Sequence, residues 1–237
     1  MQFLGFQKIS LIDYPGQIVA IAFTGGCNFR CPFCHNPELV LPELMEDEQV
    51  FSEEEILDYL GKRKGFLDGI SITGGEPTMH SELPEFIRKV KALEMVVKLD
   101  TNGTNPEMIK ELINKKLVDY LAMDIKNSLV KYAETVGLKE AGFKILKSKI
   151  QKSIKLVMKS GLDYEFRTTV LPRLHSRKDI EAIGKLIKGA KNFYIQNFRL
   201  TKTLDPEYLR ELSFTENELG ELKKIADKYV KSCKIRQ

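Results

Sequence analysis

Cys27, Cys31 and Cys34 fall within eight residues, separated by three and then two positions. That spacing lets three thiolates converge on one iron–sulfur cluster from a single loop, and iron favours such soft ligands. A structural zinc site closes its tetrahedron with four protein ligands, and the remaining cysteine, Cys233, lies at the far end of the chain. His35 is a candidate fourth ligand. Three thiolates on a four-iron cube would instead leave one iron open, and an open metal position is where a substrate or cofactor binds. Four cysteines could pair as two disulfides, but three in one loop suit shared ligation and a reducing compartment better.

Other polar groups gather at points further along. Thr73-Gly74-Gly75-Glu76-Pro77 offers two glycines that permit close backbone approach and a carboxylate able to hold an ammonium group; taken alone it is a turn. Asp100-Thr101-Asn102 and the pair Asp124 and Lys126 follow apolar runs, and charged groups seldom end buried strands without partners. A carboxylate there can bind ribose, a cation or Lys126. The plainer reading is helix capping by Asn102 and solvated ends for the rest. Arg167 faces inward if alternation holds from Tyr164, and an inward guanidinium needs an anion; otherwise its stem snorkels along a helix-covered surface. His80 and His175 lack paired metal-ligand spacing and read as structural or solvated, and Cys233 as a structural or surface thiol.

These groups need elements to position them. Residues 17–24 form a β-branched apolar run of strand length that leads directly into Gly25-Gly26-Cys27. Ser52 with Glu55 makes a capping-box pattern that starts a helix running until Gly65. Strands are predicted at 69–73, 95–101, 120–125, 164–171 and 193–198, with helices at 84–93, 106–115, 142–160, 179–188 and 215–230 between or after them. Mostly apolar strands alternating with helices imply an α/β fold with a parallel sheet, either doubly wound or an incomplete barrel. Six units fall short of the eight of a full barrel, so the expectation is a partial (β/α)6 TIM-like barrel spanning 1–237 as one domain, with its cysteine loop at about 25–37. Loops after the strand C-termini build the active site in either architecture, which is where the motifs fall.

Composition narrows the function classes. Hydrophobic residues make up 43% and charged residues 30%, which excludes a disordered chain, and no apolar run approaches the roughly 20 residues of a membrane helix. No basic n-region with a long apolar stretch opens the chain, so a cytoplasmic protein is expected. A net charge of +4 with interspersed signs is too mild to argue by itself for a nucleic-acid binder, and no nucleic-acid partner is expected.

The run CNFRCPFC, with Phe33 just before the last cysteine, resembles the signature of the radical S-adenosylmethionine superfamily. The resemblance implies a [4Fe–4S] cluster on Cys27, Cys31 and Cys34, with S-adenosylmethionine chelating the open iron and cleaved reductively to a 5′-deoxyadenosyl radical. It also implies that Gly74, Gly75 and Glu76 grip the methionyl amino group. KLDTNG and AMDIK resemble stretches of the pyruvate formate-lyase activating enzymes. By that likeness Asp100, Thr101, Asn102, Asp124 and Lys126 surround the cofactor, Asp100, Thr101 and Asp124 are candidate ligands of a monovalent cation, and Arg167 contacts the cofactor.

Residues 5–40, GFQKISLIDYPGQIVAIAFTGGCNFRCPFCHNPELV, and the later IQNFRLTKTLDP resemble anaerobic ribonucleoside-triphosphate reductase activating proteins. The implied function is an oxidoreductase that generates a glycyl radical on a partner enzyme, with flavodoxin or ferredoxin as electron donor. Alternatives are a radical enzyme acting on another glycyl-radical enzyme, a small molecule or RNA, and a small electron-transfer or zinc-binding module. No second cysteine set lies between the first loop and GGEP, so a single cluster is expected.

Overall fold

The run VAIAFT becomes β3 (Val19–Thr24), which is buried along nearly its whole length and so must be covered on both faces. The computed structural model describes residues 1–46 and 48–236. Two compact units emerge: Met1–Asn28 with Asn36–Thr101 and Asn105–Leu121, and Phe29–His35 with Asn102–Thr104 and Ala122–Gln237.

In the first unit a short antiparallel pair, β1 (Gln2–Phe3) with β4 (Phe51–Ser52), accompanies a sheet of order β6-β5-β3-β2. β5 (Gly69–Gly74) runs parallel to β3, and β6 (Val96–Thr101) parallel to β5. β2 (Gly5–Ser10) runs antiparallel to β3 at the edge. The helices are α1 (Pro42–Met45), α2 (Glu53–Lys62), α3 (Leu83–Ala92) and α4 (Pro106–Asn114). The Ser52–Glu55 capping box is formed and starts α2. α3 buries Leu83, Phe86, Ile87 and Val90, one stripe at helical spacing, and packs on β6.

The second unit contains residues 122–124 of β7 (Tyr120–Asp124), then α5 (Tyr132–Thr135), α6 (Glu140–Lys159), β8 (Asp163–Val170), α7 (Arg177–Leu186), β9 (Phe193–Asn197), α8 (Glu216–Ala226) and β10 (Cys233–Arg236). The order is β10-β9-β8-β7, with β8, β9 and β10 parallel. α6 turns Ile150, Ile154 and Val157 inward, and its one buried hydroxyl, Ser153 Oγ, donates to the Gly103 carbonyl at 2.7 Å.

The fold is α/β with a parallel-strand core, as the alternation implies. β2 and β10 are additions. β2 exposes its central residues and shows no clean alternation, and β10 has four residues, too few to carry a period. α7 starts at Arg177 rather than Asp179 because Ser176 caps it, with Asp179 as the third residue of a capping box. Among the described residues no helix is long and apolar enough to cross a membrane.

Candidate functional site

β3 hands the chain to Gly25 and Gly26, immediately before Cys27, and the turn is held by backbone. Gly26 N donates to the Leu39 carbonyl, Glu76 N to the Gly26 carbonyl and Gly75 N to the Thr24 carbonyl, each at 2.8 Å. His80 Nε2 lies 2.9 Å from the Gly25 carbonyl, which gives that histidine a structural place. The loop after β5 is thus stitched to the entry of the cysteine loop. A Cβ on Gly75 would stand 1.9 Å from the Gly26 carbonyl oxygen, and one on Gly74 2.4 Å from that of Thr24. The close approach that these glycines make possible is therefore to the chain's own backbone.

Glu76 is 1% exposed. Its Oε1 accepts from Thr78 N at 3.1 Å, from the Thr78 hydroxyl, and from Thr101 Oγ1 at 2.7 Å, so the carboxylate caps the turn at Pro77–Met79 and ties the end of β6 to it. Asp100 Oδ2 accepts from Thr73 Oγ1 at 3.2 Å, and its Oδ1 from Lys98 Nζ. Asn102 is not the helix cap. Its Oδ1 accepts from Thr104 N (3.0 Å) and Thr104 Oγ1 (2.7 Å), an Asx turn, while Asn105 caps α4 through Met108 N.

In the second unit, segment 29–35 turns back on itself, with Cys34 N donating to the Cys31 carbonyl at 3.0 Å. Arg30 N donates to the Val136 carbonyl and Asp205 N to that of Pro32, both at 2.9 Å. Phe29 and Phe33 are buried, and Phe29 meets the Tyr132 ring edge-on at 6.3 Å. His35 packs on Phe198 at 5.2 Å, and its Nε2 is buried without a hydrogen-bond partner among the described residues. None of the four cysteines is in a disulfide; Cys31 is buried and Cys27 and Cys34 are half-buried. Burial pushes the Cys233 thiol up to about 12, so it stays protonated.

Arg167 does find an anion, and the chain supplies it: Arg167 Nε donates to Asp124 Oδ1 at 2.9 Å, while Lys126 Nζ donates to Oδ2 at 2.8 Å. Burial alone would raise the Asp124 pKa, but Arg167 and then Lys126 outweigh it and hold the carboxyl well below the usual range. Burial likewise works against the Lys126 charge, yet Asp124 and Cys31 keep the ammonium protonated far above its ordinary pKa. Asp124 thus draws two cations, Lys126 and Arg167, onto one carboxylate. Asp124→Asn should cost about 2–4 kcal/mol, below the full value for breaking a buried pair because the carboxylate is a quarter exposed. Chemical unfolding of this variant, of Arg167→Met and of the double variant will show whether the losses couple.

His175 supports the same loop from behind. Its Nε2 lies 2.8 Å from the Lys126 carbonyl and its Nδ1 accepts from Leu171 N at 3.3 Å, which requires the neutral Nε2–H tautomer. Burial lowers its pKa, with Asp179 opposing and Lys131 reinforcing the shift. Below the ordinary 6.5 the unfolded chain takes up a proton that the folded one refuses, so stability is full above pH 6.5 and falls as pH drops beneath it. His175→Gln retains a donor and an acceptor and should flatten that part of a stability–pH curve.

The first unit thus gathers Gly74, Gly75, Glu76, Asp100 and Thr101, and the second gathers Asp124, Lys126 and Arg167. Lys98, Thr78 and the supporting role of His175 were missed from sequence. Lys98 was legible, because positions two apart in a strand share a face; His175 was not, since its Nε2 partner, the Lys126 carbonyl, is a backbone atom remote in sequence.

Comparison with known proteins bears on this arrangement. A family model described as the Radical SAM superfamily matches residues 21–187. The chain is 41% identical over 235 residues to a Methanocaldococcus jannaschii protein named "Putative glycyl-radical enzyme activating enzyme", covering 98% of this chain and 94% of that one. It is 26% identical over 196 residues to the pyruvate formate-lyase-activating enzyme of Clostridium pasteurianum, covering 78% and 76%. Among solved structures, Streptococcus suis SuiB bound to S-adenosylmethionine shares the fold with a TM-score of 0.68 at 15% identity, over 92% of this chain and 49% of SuiB, so the chain spans about half the length of that protein.

Proposed function

The chain belongs to the radical SAM superfamily, and from that premise we propose that it activates a glycyl-radical enzyme, with anaerobic ribonucleoside-triphosphate reductase as the partner. Its cofactors are a [4Fe–4S] cluster and S-adenosylmethionine. Likeness to the M. jannaschii protein across nearly the whole of both chains carries the reading of the activity, and the likeness of residues 5–40 and 195–206 to reductase activators carries the reading of the partner.

The side chains fit these groups. Three cysteines within one short stretch, none of them in a disulfide, are the donor set that a cluster with one open iron requires, and the unmet Nε2 of His35 beside Cys34 is a polar atom that a bound group can complete. When bound, the cluster and S-adenosylmethionine together supply a 5′-deoxyadenosyl radical that removes hydrogen from the partner's glycine. Cys27, Cys31 and Cys34 hold the cluster. Lys126 and Arg167 would receive the carboxylate of S-adenosylmethionine, and the loop at Gly74, Gly75 and Glu76 its amino group. Asp100, Thr101, Asn102 and Phe33 would contact the cofactor. Flavodoxin or ferredoxin delivers the electron.

The test is anaerobic. The protein is reconstituted with iron and sulfide, reduced, and given S-adenosylmethionine with and without candidate glycyl-radical enzymes. The expected result is 5′-deoxyadenosine formation stimulated by the reductase, together with a glycyl radical signal on it by electron paramagnetic resonance. Cleavage without a signal on any glycyl-radical enzyme would redirect the substrate to a small molecule or RNA.

A further inference from the structure

Likeness to the pyruvate formate-lyase activating enzymes implies a monovalent cation at Asp100, Thr101 and Asp124, yet each of these residues is already engaged by the chain. Lys98 is 3% exposed, deep in the first unit. It sits opposite Ser71 in the β5–β6 register, and its Nζ lies 3.5 Å from Ser71 Oγ. Being two positions before Asp100, it shares a strand face with it, and Nζ donates to Asp100 Oδ1. Thr73 Oγ1 occupies the other carboxylate oxygen, and Thr101 Oγ1 is turned to Glu76. In the second unit Asp124 is held by Lys126 and Arg167.

A buried ammonium is costly unless paired, and an apolar residue at position 98 would avoid that cost. Its presence gives Asp100 a permanent counter-ion, and an alkali ion on the same carboxylate would have to settle against a like charge that cannot reach water. We propose that Lys98 is a built-in monovalent cation: its ammonium takes the charge-neutralising place at Asp100 that sodium or potassium would otherwise fill, and it fixes the orientation of that carboxylate. Lys98 is thus a positioning residue. The expectation of a cation rests on the activating-enzyme reading, whereas the ion pair belongs to the protein without its cofactors.

The thermal midpoint of the cluster-free protein is measured at equal ionic strength in sodium, potassium and N-methyl-D-glucamine chloride, alongside S-adenosylmethionine affinity of the reconstituted protein. For the unaltered chain both quantities should be the same in all three salts. Lys98→Met should have a lower midpoint in N-methyl-D-glucamine and recover saturably with sodium or potassium, with affinity restored about tenfold. The Lys98→Met/Asp100→Asn double variant, which removes both charges, should fold and be indifferent to the salt; it decides the matter if the single variant does not fold. An unaltered chain that specifically gains stability or affinity from an alkali ion would overturn the proposal, as would a Lys98→Met protein that ignores alkali ions or a double variant that responds to them. Failure of the glycyl-radical reading would leave the cluster-free midpoints unchanged, so the two are distinguishable.

Discussion

Alanine in place of Cys31 is expected to abolish reductive cleavage of S-adenosylmethionine, with 5′-deoxyadenosine falling to background and the iron–sulfur absorption lost after reconstitution. The Cys31 side chain is buried. On the proposed reading, its removal takes away one of three cluster ligands. Cys27→Ala and Cys34→Ala should behave alike toward the cluster. Cys233→Ala should retain it, because that thiol is 3% exposed and held in its protonated form. Iron content and deoxyadenosine yield across the four variants provide the check, and an iron-loaded, active Cys31→Ala protein would remove the cluster assignment.

The second large effect is structural. Gly75→Ala places a methyl group 1.9 Å from the Gly26 carbonyl oxygen and 2.6 Å from its carbon, and neither can move without moving the approach to Cys27. Relief of the clash breaks the bonds from Glu76 N to the Gly26 carbonyl and from Gly75 N to the Thr24 carbonyl. Adding overpacking to the loss of two backbone hydrogen bonds gives a destabilisation of about 3–5 kcal/mol. Urea unfolding of the cluster-free protein will measure it. Gly220, in the middle of α8 with open space where a Cβ would project, is the control: Gly220→Ala should stabilise by up to about 1 kcal/mol through helix propensity. A Gly75→Ala protein as stable as the parent would show that the stitch between the two loops is dispensable.

Much of the fold was legible because its signals are local. The apolar runs that became β3, β5, β6, β7, β8 and β9 carry their burial in their own composition, and the Ser52–Glu55 box announced α2 from four residues. The clustered cysteines, the glycine pair after β5 and the charged ends of β6 and β7 were equally visible, since their spacing alone limits what they can do. Asn102 was misread as a possible cap, because an Asx turn and a helix cap use the same side-chain oxygen and differ only in where the chain goes next.

The sequence by itself therefore determined the α/β class, the order of its main elements and the types of side chain gathered at the strand ends. Only the tertiary structure decided which of those side chains meet. That Arg167 answers Asp124 across 43 residues, that Gly75 is required by Gly26, and that the edge segments become β2 and β10 all depend on which strands become neighbours. Periodicity reports the face on which a residue lies, whereas pairing depends on register between segments far apart in the chain, and no local pattern encodes that register.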